Sequence, residues 1–157
     1  MLAHRERSSC PIAYSLDVLG DRWTLLILRD LAFKGRRYFQ DFLRASEGIS
    51  SNVLTDRLRR LERWNLILKA GDPNDRRRNR YFLTDDGLDL LPVLIEMTVW
   101  GLKRYPAAHV TEERLNRMNP DREGTLRAYR ARHAAERAAA LREDDSPAKR
   151  ARSGSAG

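Results

Sequence analysis

Between Arg57 and Arg80 the chain carries Arg57, Arg59, Arg60, Arg63, Lys69, Arg76, Arg77, Arg78 and Arg80, opposed only by Glu62, Asp72 and Asp75. That segment holds +6 of a net charge of +8, in under a sixth of 157 residues. Basic clusters of this density face polyanions: nucleic acid first, an anionic membrane surface second. Guanidinium groups and amides offer two kinds of contact there. Arg pairs bidentately with guanine and Asn with adenine in the major groove, and further arginines meet phosphates.

The other reactive side chains are sparse. Cys10 is the one cysteine, so no disulfide closes within the chain, and the chemistry reads as cytoplasmic. It precedes Pro11 at an expected helix start, where the macrodipole favours a thiolate, and Arg5 and Arg7 add positive potential. A half-buried packing residue is the alternative at that place. His4, His109 and His133 are scattered and lie before or after the expected folded core, and no Cys/His cluster has metal-ligand spacing. No Gly-x-Gly-x-x-Gly or Gly-x-x-x-x-Gly-Lys occurs. Asp85-Asp86 follows Thr84 and reads as charge at a helix N-terminus rather than a carboxylate pair. The sequence therefore points away from an enzyme and implies no cofactor and no metal. The N-terminus lacks a signal peptide's apolar stretch. The most apolar run, Trp23 to Leu28, is too short to span a bilayer.

These groups need positioning, and the periodicity predicts how. Pro11 opens a short helix through Ile12, Leu16 and Leu19, ended by Gly20. Asp21 caps a second helix to about Ala32, apolar on most sides and so central to the core. "KGRR" is a turn, and a third helix runs from about Tyr38 to Ala45. After Gly48, Ser50 caps a fourth helix to about Trp64. "NLILKAG" and "RYFLT" flank "DPNDRRRN" as a β-hairpin. Thr84 caps a last long helix to Pro106, with Pro92 as a kink or restart.

A short helix, a four-residue turn with glycine, a second helix and a charged hairpin make a winged helix-turn-helix, mainly α with one small hairpin. On the fourth helix Leu54, Leu58 and Leu61 share the buried side. Asn52, Asp56, Arg59 and Arg63 lie opposite, flanked by Thr55 and Arg60. Ser51, Asn52, Thr55, Asp56 and Arg59 are the expected base readers, with Ser50 at the cap. Arg60, Arg63, Arg76, Arg77, Arg78 and Arg80 are expected on phosphates or in a minor groove, and Arg37 joins the set.

The stretches "CPIAYSLDVLGDRWTLLILRDL", "RYFQDFLRASEGISSNVLTDRLRRLE" and "RYFLTDDGLDLLPVLIEMTVWG" together resemble the HxlR-type bacterial winged helix-turn-helix regulators. The resemblance covers about Cys10 to Pro106. It implies a cytoplasmic homodimer that binds operator DNA and represses or activates nearby genes, with dimer contacts through the first and last helices. Some members use a cysteine at the place of Cys10 to sense oxidants or electrophiles. The wing departs from the family pattern. At Arg76 to Tyr81 only Arg78 and Tyr81 fit, and the longer, more basic wing resembles that of MarR-type regulators.

Ile12 and Leu16, with Leu91, Leu94, Ile95, Thr98 and Leu102, are the expected dimer contacts, because the last helix carries more apolar surface than so small a domain covers alone. The chain divides into an N-terminal arm (1–9), the winged domain (10–106), an Ala/Arg/Glu-rich solvated helical extension (107–141) and a disordered tail (142–157). The expected function is a homodimeric, operator-binding transcriptional regulator, with double-stranded DNA and a second copy as partners and no membrane. A winged-helix interaction module and a nonspecific DNA-compacting protein are the rivals.

Overall fold

The computed structural model describes residues 9–75, 77–105 and 122–145. Seven helices and one hairpin follow in order among them: α1 (Pro11–Leu19), α2 (Arg22–Phe33), α3 (Phe39–Leu43), α4 (Ser51–Arg63), β1 (Ile67–Gly71), β2 (Asn79–Leu83), α5 (Asp85–Leu88), α6 (Leu91–Leu102) and α7 (Arg122–Asp144). The architecture is mostly helical with a two-stranded antiparallel wing.

The helix starts follow capping chemistry. Pro11 at the start of α1 has no N–H to leave unsatisfied, and Cys10 is the cap residue. The Asp21 carboxylate accepts from the Trp23 and Thr24 N–H groups at 2.9 and 3.3 Å. Burial pushes that carboxyl up, but hydrogen bonds from Thr24, Arg57 and the Trp23 backbone outweigh it and hold it below the usual range. Ser50 caps α4 through the Val53 N–H, and Thr84 caps α5 through the Gly87 N–H.

The core gathers around α2, as its all-round apolarity requires. Leu28, Leu31 and Ala32 are fully enclosed and meet Phe42 of α3, the Leu54–Leu58–Leu61 stripe of α4, Ile67, Leu83, Leu88 and Leu91. The strands pair from Ile67 with Leu83 to Gly71 with Asn79. Tyr38 bridges to Arg80, and the Tyr81 N–H donates to the Arg37 carbonyl at 2.8 Å, so the segment before α3 lies along the free edge of β2.

The structure corrects several expectations. The third helix ends at Leu43, so seven residues rather than four join α3 to α4, with Gly48 at φ +71, a left-handed conformation that glycine accepts without strain. Of the two expectations at Pro92 the restart holds: α5 ends at Leu88, and Pro92 stands in the first turn of α6, where its missing N–H costs nothing. The extension is not simply solvated. Its helix α7 runs to Asp144, burying Ala140 against the wing and His133 against α2. His133 belongs to the folded body: its Nε2–H donates to the Ala32 carbonyl at 2.9 Å, and burial lowers its pKa below the ordinary histidine value. The arm to residue 8, residues 106–121 and the tail from 146 lie outside the described residues.

Candidate nucleic-acid interface

The α4 stripe decides which side of that helix is free. With Leu54, Leu58 and Leu61 at most 3% exposed, Ser51, Asn52, Asp56, Arg59 and Arg63 face outward and are exposed, as the wheel predicts. The Thr55 hydroxyl donates back to the Ser51 carbonyl at 2.8 Å. Ser50 is exposed, and its Oγ is occupied by the cap. The free face thus offers an amide, a hydroxyl, a carboxylate and two guanidinium groups.

The nine positive charges divide into two populations. Arg57 reaches back to Asp21 at 2.8 Å and also pairs with Asp56. Arg60 donates to the Asp17 carbonyl at 3.4 Å, which fastens α4 to α1. Lys69 stands 3.7 Å from Glu62. Arg59, Arg63, Arg77 and Arg78 stay at the surface, with the Arg77 side chain 93% exposed. Arg76 lies outside the described residues.

Arg37 and Arg80, expected at the nucleic acid, are turned elsewhere. Arg37 donates to the Leu31 and Arg36 carbonyls, each at 2.9 Å, and pairs with Glu136 of α7. Arg80 donates to the Gly71 carbonyl at 3.3 Å and pairs with Glu143 of α7 at 2.9 Å. Their side chains are only 13% and 15% exposed. Both sit behind the exposed basic face.

Two residues outside the sequence-derived set shape the wing turn. The Asp72 carboxylate accepts from the Tyr38 hydroxyl at 2.6 Å and from the Asn74 and Asp75 N–H groups at 2.7 and 3.0 Å. The Tyr38 hydrogen bond, followed by the backbone bonds, keeps that carboxyl ionised below its ordinary range. Arg78 stacks over the Tyr38 ring, 4.1 Å from its centroid. An Asp opening a Pro-Asn-Asp turn is the signal in the sequence, since such carboxylates bond the N–H groups two and three residues on. Tyr38 gives no comparable signal.

The connection entering α4 is also fastened. Arg29 of α2 pairs with Glu47 at 2.7 Å, and that guanidinium holds the Glu47 carboxyl down to about 2. Asp30, 3% exposed, joins Arg29 and Arg36 and so closes the "KGRR" turn. α4 is therefore presented from a connection braced against the central helix.

The expected dimer residues separate in the same way. Leu91, Leu94 and Ile95 are 0%, 6% and 5% exposed and belong to the core of this chain, so they are not free for a second copy. Thr98 donates to the Leu94 carbonyl at 2.8 Å and is half-buried, as is Leu102. Ile12 and Leu16 are open, at 71% and 61%, and the open apolar residues of α6 are Val93, Met97 and Trp100. Cys10 is exposed at the head of α1.

Among the described residues no helix is long and apolar enough to cross a membrane. The HxlR-like helix-turn-helix family matches residues 18–109. The chain is 42% identical over 92 residues to an uncharacterised HTH-type transcriptional regulator of Synechocystis sp., covering 59% of this chain and 67% of that one. It is 35% identical over 105 residues to another from Mycobacterium tuberculosis, covering 67% of this chain and 65% of that relative. The redox regulator HypR in its oxidised form superposes with a TM-score of 0.55 at 28% identity, over 60% of this chain and 97% of HypR. The chain belongs to the HxlR-like helix-turn-helix family and is a transcriptional regulator of the winged-helix type.

Proposed function

We propose that the chain binds an operator as a two-fold homodimer, with α4 in the major groove and the wing tip on the flanking backbone. The observation that carries this is the free face of α4: Ser51, Asn52, Asp56, Arg59 and Arg63 exposed together, opposite a closed leucine stripe. Asn52 and Arg59 are the base readers of this scheme, with Ser51, Thr55 and Asp56 beside them. Arg63, Arg76, Arg77 and Arg78 supply phosphate contacts, while Arg60 stays with α1. Dimerisation uses the open apolar residues of α1 and α6, Ile12, Leu16, Met97 and Trp100, and sets two α4 helices about 34 Å apart. Capture of genomic fragments by the full chain tests the reading. One enriched palindrome is the expected result; even coverage would instead mean compaction, and no DNA would mean an interaction module. Light scattering at micromolar concentration is expected to give a dimer, and a monomer would remove the two-site geometry.

The reading extends to Cys10. An exposed thiol heads a helix whose outer residues belong to the dimer face, and HypR, a redox regulator, is similar to this chain. In this scheme Cys10 adds to a quinone, or the two Cys10 thiols of a dimer are oxidised by diamide to a disulfide. Either product shifts the α4 spacing and weakens operator binding. Cys10→Ser is expected to bind the operator normally and to lose the response to both reagents, because serine is also an able N-cap. Equal loss of binding by wild type and Cys10→Ser on treatment would leave Cys10 a packing residue.

A further inference from the structure

A hairpin of two five-residue strands is marginal alone and must be held on its faces. One face of this wing rests on the core: Ile67 and Leu83 are buried there, and the Tyr81 ring meets Phe42 edge-on at 6.3 Å. Alternation sends Leu68, Ala70 and Phe82 to the other face. Among the described residues, the apolar cluster on this face is completed from outside the winged domain. Ala140 of α7 covers it, leaving Ala70 1%, Phe82 6% and Ala140 2% exposed.

Polar contacts fix how α7 lies. Glu143 holds Arg80 on β2 and Glu136 holds Arg37 on the neighbouring segment, while both guanidinium groups flank the Phe82 ring, at 5.8 and 5.5 Å from its centroid. Arg137 donates to the Leu83 carbonyl at 2.8 Å and to Asp85 at 2.6 Å. Arg130 pairs with Asp89 at 2.7 Å. At its middle, Tyr129 meets the Phe33 ring edge-on at 5.5 Å, beside the His133 bond to Ala32. Strand end, following helix and central helix are thus joined by one element that lies beyond the 18–109 family match.

We propose that α7 is the positioning element of the wing: Ala140, Glu136 and Glu143 set the angle at which Arg77 and Arg78 meet the DNA backbone, without touching DNA themselves. The proposal rests on the DNA-binding reading above. Glu136 and Glu143 act through Arg37 and Arg80, so those two arginines serve the wing from behind.

The test uses the full chain carrying Glu143→Arg, and separately Ala140→Glu, on the enriched operator and on random DNA across a salt series. Each variant is expected to lower the salt slope by about two units, one for the phosphate bound by Arg77 and one for that bound by Arg78. The ratio of operator to random affinity, set by α4, is expected to stay within about twofold. Hydrogen exchange at the paired amides of β2 is expected to quicken at least about tenfold while the α4 amides keep their protection. Combining Glu143→Arg with Arg80→Glu restores the pair with its charges exchanged, and is expected to recover slope and protection. Unchanged slope and exchange in both single variants would overturn the proposal. So would tighter binding, which would make α7 a mask over Arg37 and Arg80, or failure of the exchanged pair to recover the slope, which would put Arg80 on phosphate. If neither wild type nor variants bind DNA, the DNA-binding reading fails. In that case β2 exchange still decides whether α7 holds the wing.

Discussion

Asn52→Ala and Arg59→Ala are each expected to weaken operator binding by about 1–3 kcal/mol, roughly 5- to 150-fold, and to leave binding to random DNA nearly unchanged. Both residues stand on the exposed face of a helix whose opposite face is closed, so truncation removes a DNA contact without opening the core. An amide or guanidinium that bonds a base edge in two places leaves polar atoms of that base unpaired when it is removed, and only the matching sequence suffers. Arg78→Ala should behave differently. It stacks over Tyr38 at the wing and reaches backbone at most, so operator and random DNA should weaken alike, and the salt slope should fall by about one unit. A fluorescence-anisotropy titration of both DNAs across salt separates the two classes. If the α4 substitutions left the preference for the operator intact, the readout face would have to be sought elsewhere than on Asn52 and Arg59.

The exposed side of α4 was legible because it needs only a period and a cap. Leu54, Leu58 and Leu61 fall on one side at 3.6 residues per turn, and Ser50 marks the start, so the exposed residues follow by subtraction. Asp21, Thr84 and the Asp-Pro-Asn-Asp turn are equally local signals, and the structure keeps all of them. Side-chain destination is not local. Arg80 and Arg78 are two residues apart in one basic run, yet one pairs with Glu143 on a helix more than sixty positions away and the other stays at the surface. A helix apolar on all sides, like α6, likewise does not say which side its own core will take. Leu91, Leu94 and Ile95 went inward, while Met97 and Trp100 stayed out. The docking of α7 was readable in principle. Leu126, Tyr129, His133, Arg137 and Ala140 recur at spacings of three and four, a stripe obscured by alanines and by a histidine and an arginine within it. Burial is possible there because His133 and Arg137 bond the Ala32 and Leu83 carbonyls, a pairing that no spacing rule contains.

The second large effect concerns Gly87, which lies where the wing meets the helices behind it. Its backbone angles are ordinary for any residue, so the demand for glycine comes from space. A Cβ at this position would lie 2.0 Å from the Leu66 carbonyl oxygen and 3.1 Å from its carbon. That oxygen already accepts the Thr84 N–H at 3.2 Å, and the Thr84 hydroxyl both caps Gly87 and bonds the Asn65 carbonyl. The obstacle is backbone held from two sides, so no flexible side-chain end can swing aside. Gly87→Ala is therefore expected to cost about 3 kcal/mol, at the upper end of overpacking penalties, and to lower Tm by about 10 °C. Gly101, near the end of α6, supplies the opposite case. An added Cβ there has nothing within 4 Å, and alanine restricts the unfolded chain and favours helix. Gly101→Ala is expected to raise stability by about 0.5–1 kcal/mol. Urea unfolding of both variants, followed by far-ultraviolet circular dichroism and tryptophan fluorescence with coincident transitions, measures the two signs in one experiment. A Gly87→Ala chain as stable as wild type would mean that α5 slides away from Leu66 at little cost, and that the junction of wing and α5 is looser than its hydrogen bonds require.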